Sequence, residues 1–238
     1  MQNYMIFNGV SNLDKGFLIE KLPDEHRPRR NTEQVQVQGR PGRLIEDLGS
    51  YDQFNTNCKI NCFGHAPTDV HAWLRGEGWL TTSQEPEFMR WVSFYEQTTD
   101  DRFRTNAAEG CFDTITIPMT CQPYKYQLVQ DEIELTQAAT FAGKGNEKAA
   151  PIIAVTGSGD INMMINGTSL LLDDLGGTIY IDCDALVAYT ISNGAKKFAG
   201  RKVTVIDDEW PYLDPEENSI SWTGNVSKVN VQPWWRWL

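Results

Sequence analysis

The sequence predicts a mainly β protein of two domains: a β-domain with one helix and a protruding hairpin arm, followed by an antiparallel β-sandwich. Three observations predict this fold class. Apolar and polar residues alternate with a period of two along much of the chain, Asn-Gly pairs separate apolar runs, and a single longer segment has helical spacing. The length of 238 residues allows one large domain or two small ones.

The composition excludes several classes of protein. The chain has 21 basic and 32 acidic residues and a net charge of −11. Such a chain repels phosphate backbones, so we expect no direct binding to nucleic acid without a local basic patch. No stretch reaches the roughly 18 apolar residues of a membrane span, and the first residues do not resemble a secretion signal. The odd number of cysteines, 5, favours reduced thiols and folding in a cytoplasm.

The first domain is predicted over residues 1–130. Its clearest strand covers residues 54–63, where one face is formed by the even positions Phe54, Thr56, Cys58, Ile60 and Cys62. A helix is predicted from Pro67, which suits the first helical position, to Gly76, which can end it. Another strand covers residues 114–121, and Pro118 within it predicts a sheet edge or a bulge.

A further strand, residues 87–96, is apolar on both faces. Phe88, Val92 and Phe94 lie on one face, and Met89, Trp91 and Tyr95 lie on the other. Such a strand must be covered on both sides, by its own core and by something else. Trp91 is therefore a candidate contact with another subunit.

Residues 22–48 form the predicted arm. The segment is polar and rich in proline, and its Val-Gln alternation followed by Arg40-Pro41-Gly42-Arg43 predicts a hairpin with little core of its own. The arm carries five candidate interface arginines, namely Arg27, Arg29, Arg30, Arg40 and Arg43. They indicate either a solvated hairpin or a contact between subunits, because arginine is enriched at interfaces.

The second domain is predicted over residues 151–238, and residues 131–150 are a linker or the first strand of that domain. About eight short strands with tight turns predict an antiparallel sandwich. The turn signals are Gly157-Ser158-Gly159-Asp160, Asn166-Gly167, Gly176-Gly177, Asn193-Gly194 and Gly224-Asn225.

No pattern in the sequence indicates catalysis. Cys58 and Cys62 on one strand lie about 13 Å apart, too far for one zinc ion with His65, so we expect buried thiols. The acidic groups Asp173-Asp174, Asp182/Asp184 and Asp207-Asp208-Glu209 could form acid/base pairs, but strand ends and turns favour Asp for its backbone hydrogen bonds. We therefore predict that the protein is not an enzyme and needs no cofactor or metal.

Three of the 8 tryptophans lie close to the end of the chain. In the last strand the core face is predicted to be Val229, Val231, Pro233, Trp235 and Trp237. Trp234 is left on the outer face. It is the candidate residue for the alternative in which an aromatic platform binds sugar.

The end of the chain also resembles a known family. The segments are Trp210-Pro211-Tyr212-Leu213-Asp214-Pro215, Glu217–Trp222 and Pro233-Trp234-Trp235-Arg236-Trp237-Leu238. They are similar to the "fP-x-L-x-P-G-x-N-x-I" turn and the final "P-R-W-R-W-L" strand of siphophage distal tail proteins. Phe7–Val10, the arm from Val35 to Arg43, Trp79-Leu80 and Thr114–Tyr126 agree as well. The chain departs from the pattern at Trp234, where arginine is usual, and at Pro215-Glu216-Glu217, where Pro-Gly is usual.

This resemblance implies a structural role in a phage virion. Proteins of the family form a homo-hexameric ring, the baseplate hub, which joins the tail tube to the tail tip and contacts the proteins of both. The resemblance also implies that the second domain is galectin-like. It places the protein at the tail tip of a virion assembled in the bacterial host cytoplasm and encoded by a phage or prophage. The alternative function is a carbohydrate-binding accessory module for host-surface attachment, with Trp234 as the sugar contact.

Overall fold

The computed structural model describes residues 2–62, 67–103, 112–206 and 209–238. The chain divides into two compact units, one of residues 1–128 with Leu238 and one of residues 129–237. The protein is mainly β with antiparallel sheets, as predicted.

The first unit is built on one eight-stranded antiparallel sheet. The described residues of the unit form ten strands, of which eight belong to this sheet. The ten strands are β1 (Met5–Phe7), β2 (Val10–Ser11), β3 (Leu18–Lys21), β4 (Arg30–Val35), β5 (Leu44–Tyr51), β6 (Phe54–Asn61), β7 (Gly76–Thr82), β8 (Phe88–Phe94), β9 (Thr99–Phe103) and β10 (Phe112–Gln127). Its helices are α1 (Asn12–Lys15) and α2 (Pro67–Trp73). The sheet order is β2-β1-β7-β8-β10-β6-β3, with β9 also on β10, whereas β4 and β5 pair only with each other.

Two local predictions for this unit are confirmed. Thr56, Cys58, Ile60 and Cys62 are buried as the alternation of β6 predicts, and helix α2 begins at Pro67. Trp73 is buried on α2. The four-residue helix α1 was not predicted, although Ser11 and Asp14 form a capping box that marks its start.

Pro118 does not mark a sheet edge, because β10 lies between β8 and β6. On one side β10 pairs with β6 continuously from Thr114 to Cys121. On the other side its pairing with β9 ends at Thr116 and its pairing with β8 begins at Thr120. Pro118 lies in the gap between the β9 ladder and the β8 ladder. Neither β9 nor β8 therefore needs the N–H that proline lacks at this position.

The second unit contains strands β11 (Ile133–Leu135), β12 (Ala139–Ala142), β13 (Ile152–Ile165), β14 (Thr168–Asp182), β15 (Val187–Ser192), β16 (Ala195–Phe198), β17 (Val203–Val205) and β18 (Glu217–Gln232), and a 3-10 turn over Gly200–Lys202. The order is β11-β18-β13-β14-β15-β16, with β12 also on β18 and β17 also on β14. The buried faces of β13, β14 and β18 supply most of its apolar core.

Three of the predicted turns are bends inside long strands. Strands β13, β14 and β18 have 14, 15 and 16 residues and run through Gly157, Gly177 and Gly224. At Gly224, which has a φ of +101°, a Cβ would lie 2.5 Å from the carbonyl oxygen of Asp160. The glycine therefore permits the close approach of two strands rather than a reversal of the chain.

The two Asn-Gly hairpins are confirmed. Asn166 and Gly167 have φ values of 47° and 90° between β13 and β14, and Asn193 and Gly194 have 52° and 77° between β15 and β16. A two-residue turn with positive φ at both positions matches the right-handed twist of the flanking strands.

Candidate assembly surfaces

Strands β4 and β5 form the arm, a two-stranded sheet with no further strand beside it. Val35 lies opposite Leu44, and Gln34 lies opposite Ile45. Almost every residue of both strands is exposed. A two-stranded hairpin is marginally stable in water unless another surface covers it.

The two faces of the arm differ chemically. One face, called here the apolar arm face, carries Val35, Leu44 and Leu48, all exposed, together with Glu33 and Glu46. These two glutamates lie directly opposite each other, which is unfavourable for like charges. The other face is mostly polar, and Ile45 is its exposed apolar residue.

The predicted interface arginines occupy different environments. Arg30 donates from Nε to Asp47 and from Nη1 to the Tyr51 hydroxyl at 2.7 Å, and Arg43 donates to Gln34 Oε1 at 3.0 Å. Arg30 and the Gly49 N–H, which is the larger cause, lower the pKa of Asp47. These contacts hold the two strands together.

Arg27, Arg29 and Arg40, the other three arginines, are exposed. The exposed apolar residues of the arm were not singled out as contacts by sequence reasoning. The Val-Gln alternation of residues 32–38 was the signal that could have identified Val35.

Trp91 lies in an aromatic cluster on the face of β8 away from the main core of the first unit. Its ring packs edge-on against Trp79 with the ring centroids 5.1 Å apart, and Trp79 packs in the same way against Tyr126 at 5.4 Å. Met89 is buried on this face, while Tyr95 at its end is 73% exposed. The cluster partly covers itself, and the open part of the face lies towards Tyr95.

A cluster of ionisable side chains lies beside Phe54 in the first unit. Arg90 is 7% exposed, its Nη2 lies 3.2 Å from Glu25 Oε2, and its guanidinium lies over the Phe54 ring. Lys125 lies 2.6 Å from Glu85. The adjoining cavity of about 30 Å³ has room for a water molecule or two and not for an organic substrate. We regard the cluster as structural.

Cys58, Cys121 and Cys183 are buried free thiols, and Cys62 is buried as well. Burial raises the pKa of Cys58 and of Cys121 to about 12, and it raises that of Cys183 as well. Within the described residues no group of three or more His, Cys, Asp or Glu side chains is placed to hold a metal ion. Cys111 and His65 lie outside those residues.

The candidate carboxylates that the structure describes lie in different local environments. Asp173 and Asp174 lie inside β14 rather than at its end, and the Asp174 N–H donates to Asp160 Oδ1 at 2.9 Å across an irregularity in the ladder. Asp182 accepts from the Ala185 N–H, and Asp184 pairs with Arg236. Asp207 and Asp208 lie outside the described residues.

The final strand segment buries one side as predicted. Val229, Val231 and Trp235 are buried, and Trp235 Nε1 donates to Asp131 Oδ2 at 3.0 Å. Trp234, the candidate sugar contact, is half-buried and has a φ of +51°.

The turn that carries the family-like motif is held by a buried asparagine. Asn218 Oδ1 accepts from the Asp214 N–H at 2.7 Å and from Asn166 Nδ2 at 2.8 Å, and its own Nδ2 donates to the Asp214 carbonyl at 2.9 Å. Asn166 in turn accepts from the Ser219 N–H. The motif residue Asn218 therefore joins this turn to the β13–β14 hairpin.

No helix of the described residues is long and apolar enough to cross a membrane. No protein-family model matches the sequence, and no curated protein sequence matches it.

Among solved structures, the chain is similar to the SPP1 Dit protein, a hub of the adsorption apparatus in phages that infect Gram-positive bacteria. The TM-score is 0.70 at 18% identity, and the match covers 98% of this chain and 99% of that one. A chain of the phage P2 baseplate matches with a TM-score of 0.50 at 9% identity, over 98% of this chain and 97% of that one. The resemblance to siphophage distal tail proteins is thus confirmed at the level of the fold.

Proposed function

We propose that the protein is a non-enzymatic structural subunit of a siphophage-like tail, which forms a homo-hexameric ring joining the tail tube to the tail tip. The observation that carries the proposal is the exposed apolar arm face on a hairpin with no further strand beside it. The fold of the chain, which is similar to that of the SPP1 Dit hub protein, supports the same role.

Burial of the apolar arm face against a neighbour provides the driving force. Val35, Leu44 and Leu48 are each roughly half exposed. Full burial of such a side chain contributes about 1.5–3 kcal/mol, so completing the burial of all three contributes about 3 kcal/mol per arm. Glu33 and Glu46, opposed on the same face, favour a receiving surface that carries a cation.

A ring follows if the arm of each subunit contacts a different surface of the next one. One heterologous contact, repeated around a closed rotation axis, satisfies every arm and leaves no open end. The net charge of −11 suits a subunit around a DNA conduit, because it repels the genome. In this role Arg27, Arg29, Arg40 and the open part of the Trp91 face are further contacts between subunits.

Two substitutions at neighbouring positions test the arm. Leu44→Lys places a charge on the apolar arm face, whereas Ile45→Lys places the same charge on the opposite face, where Ile45 is 69% exposed. We expect a ring by native mass spectrometry and electron microscopy for the unmodified chain and for Ile45→Lys, and monomers for Leu44→Lys. Because assembly can require the rest of the tail, the chain is also co-expressed with its neighbouring tail proteins. A ring formed equally well by Leu44→Lys contradicts the role of the arm, and monomers throughout contradict the ring.

We place the protein in the virion tail, assembled in the host cytoplasm, where the buried thiols stay reduced. The tail tube and tail-tip proteins are its further partners. Within the chain, we assign ring formation to the first unit and a galectin-like fold to the second.

A further inference from the structure

An exposed aromatic and basic surface lies at one edge of the sheet in the second unit. Tyr180 on β14 lies opposite Tyr189 on β15, and Tyr189 lies opposite Phe198 on the edge strand β16. Directly opposite residues share a face, so the three rings follow one another across three strands. Phe198 is 75% exposed, whereas Tyr189 is buried.

The rings on this edge are held in place by their neighbours. Tyr180 and Tyr189 stack with their centroids 5.3 Å apart and an interplanar angle of 5°. The tip of the Phe198 ring lies over Gly200, where an added Cβ would be 2.4 Å from its Cζ. Phe198 is therefore an exposed ring supported from below by backbone, which lowers the entropy lost when a ligand stacks on it.

The same edge concentrates positive charge in an acidic unit. Lys196, Lys197, Arg201 and Lys202 are four of the eight basic residues between positions 129 and 237, and no acidic residue occurs between Asp184 and Asp207. Lys196 Nζ lies 4.2 Å from the centroid of the Tyr189 ring. Lys197 and Arg201 are exposed, whereas Lys202 donates to the Asp174 carbonyl.

We propose that this edge binds an anionic polysaccharide, a sugar–phosphate polymer of the bacterial surface, with a sugar ring stacked on Phe198 and phosphate groups on Lys196 and Arg201. The Phe198 ring is exposed, and the described residues do not enclose it in a pocket. Such a ring suits stacking against the flat apolar face of a sugar, whereas a side chain that anchors a protein partner needs an enclosing pocket. The cations suit spaced phosphates. Single-stranded nucleic acid needs a positively charged groove with aromatic side chains for successive bases, whereas this edge presents one strongly exposed ring, that of Phe198.

The proposal does not depend on ring formation. If the chain does form a ring, several copies of the edge contact one polymer and strengthen weak single contacts by avidity.

The test measures binding of the full chain to four probes by biolayer interferometry: a glucosylated glycerol-phosphate polymer, neutral dextran, inorganic polyphosphate and single-stranded DNA. We expect saturable binding to the first probe, about tenfold weaker binding after Phe198→Ala, and a smaller salt dependence in the double variant Lys196→Gln/Arg201→Gln. Tyr212→Ala, a second exposed aromatic of the same unit, and Lys148→Gln are matched controls that keep the affinity.

Several outcomes overturn the proposal. They are the absence of binding to the glycerol-phosphate polymer, equal binding by Phe198→Ala with unchanged circular dichroism, and equal or tighter binding of polyphosphate or DNA. A ring that assembles normally but does not bind the polymer contradicts only this site. A monomer that binds the polymer through Phe198 contradicts only the ring.

Discussion

Replacing Asn218 by alanine tests whether the family-like motif is a structural device. The side chain is fully buried and makes three hydrogen bonds, two to the backbone of Asp214 and one to Asn166. Each is worth about 1 kcal/mol, and a buried donor or acceptor left unpaired costs a further 1–3 kcal/mol or so. We therefore expect Asn218→Ala to lower the free energy of unfolding of the second unit by about 4 kcal/mol, a large part of a typical stability of about 5–15 kcal/mol.

The assay is urea unfolding followed by hydrogen exchange and mass spectrometry of peptides from β13, β14 and β18. With an m value of about 2 kcal/mol/M, the midpoint of unfolding falls by about 2 M. Ser219→Ala is the control, because Ser219 is exposed and contributes only its backbone N–H and carbonyl to the network. A midpoint for Asn218→Ala within about 0.3 M of this control refutes the reasoning, since the lost bonds would then contribute less than a surface substitution.

Two further predictions concern the glycine bend and the buried thiols. Gly224→Ala places a Cβ 2.5 Å from the Asp160 carbonyl oxygen, so we expect the free energy of unfolding to fall by about 2–4 kcal/mol, measured by urea unfolding. The control is Gly176→Ala, whose Cβ meets no atom within 4 Å and which should change stability by less than about 0.5 kcal/mol. Equal unfolding midpoints for the two variants contradict the role of the bend. In the folded protein the thiols of Cys58 and Cys121 have a pKa of about 12, whereas a thiol in the unfolded chain has a pKa of about 8.5. Between about pH 8.5 and pH 12 the unfolded state therefore binds fewer protons than the folded state. The free energy of unfolding falls over this range by about 1.4 kcal/mol per pH unit for each thiol. Unfolding midpoints at pH 8 and pH 10 measure this fall, and Cys58→Ala and Cys121→Ala should each make it shallower; an unchanged slope in both variants contradicts the burial of the thiols as its cause.

The sequence predicted the tight hairpins because their cause is local. Asn166-Gly167 and Asn193-Gly194 supply two adjacent residues that accept positive φ, and each pair reverses the chain. Gly176-Gly177 does not reverse the chain, because only Gly177 has a positive φ and β13 pairs with β14 on both sides of it. The length of a strand therefore depends on its pairing with a neighbouring strand, and the local sequence does not specify that pairing.

The candidate surfaces show the same division between local and non-local causes. Alternation and proline content predicted the arm, because the sequence signals of a hairpin lie within its own residues. The register that places Glu33 opposite Glu46 was not predicted, since it depends on the turn between the strands. The Lys-Lys-Phe-Ala-Gly-Arg-Lys run of residues 196–202 was visible in the sequence, but the position of β16 at the sheet edge was not.

In the proposed ring, each acidic subunit must overcome repulsion by its copies, and the arm carries exposed apolar residues that can offset this repulsion. Each added subunit of charge −11 raises the electrostatic cost of a ring, and this cost is screened beyond about 8 Å at physiological salt. Short-range burial of Val35, Leu44 and Leu48 is hardly affected by screening, whereas the like-charge pair Glu33 and Glu46 needs a cation nearby. In the proposed ring, apolar contact therefore supplies the affinity, and the glutamates restrict which surface can receive the arm. On this reasoning, Glu33→Gln/Glu46→Gln keeps assembly but lowers its selectivity for the correct surface, which appears as rings of mixed size in electron micrographs; uniform rings contradict the restriction.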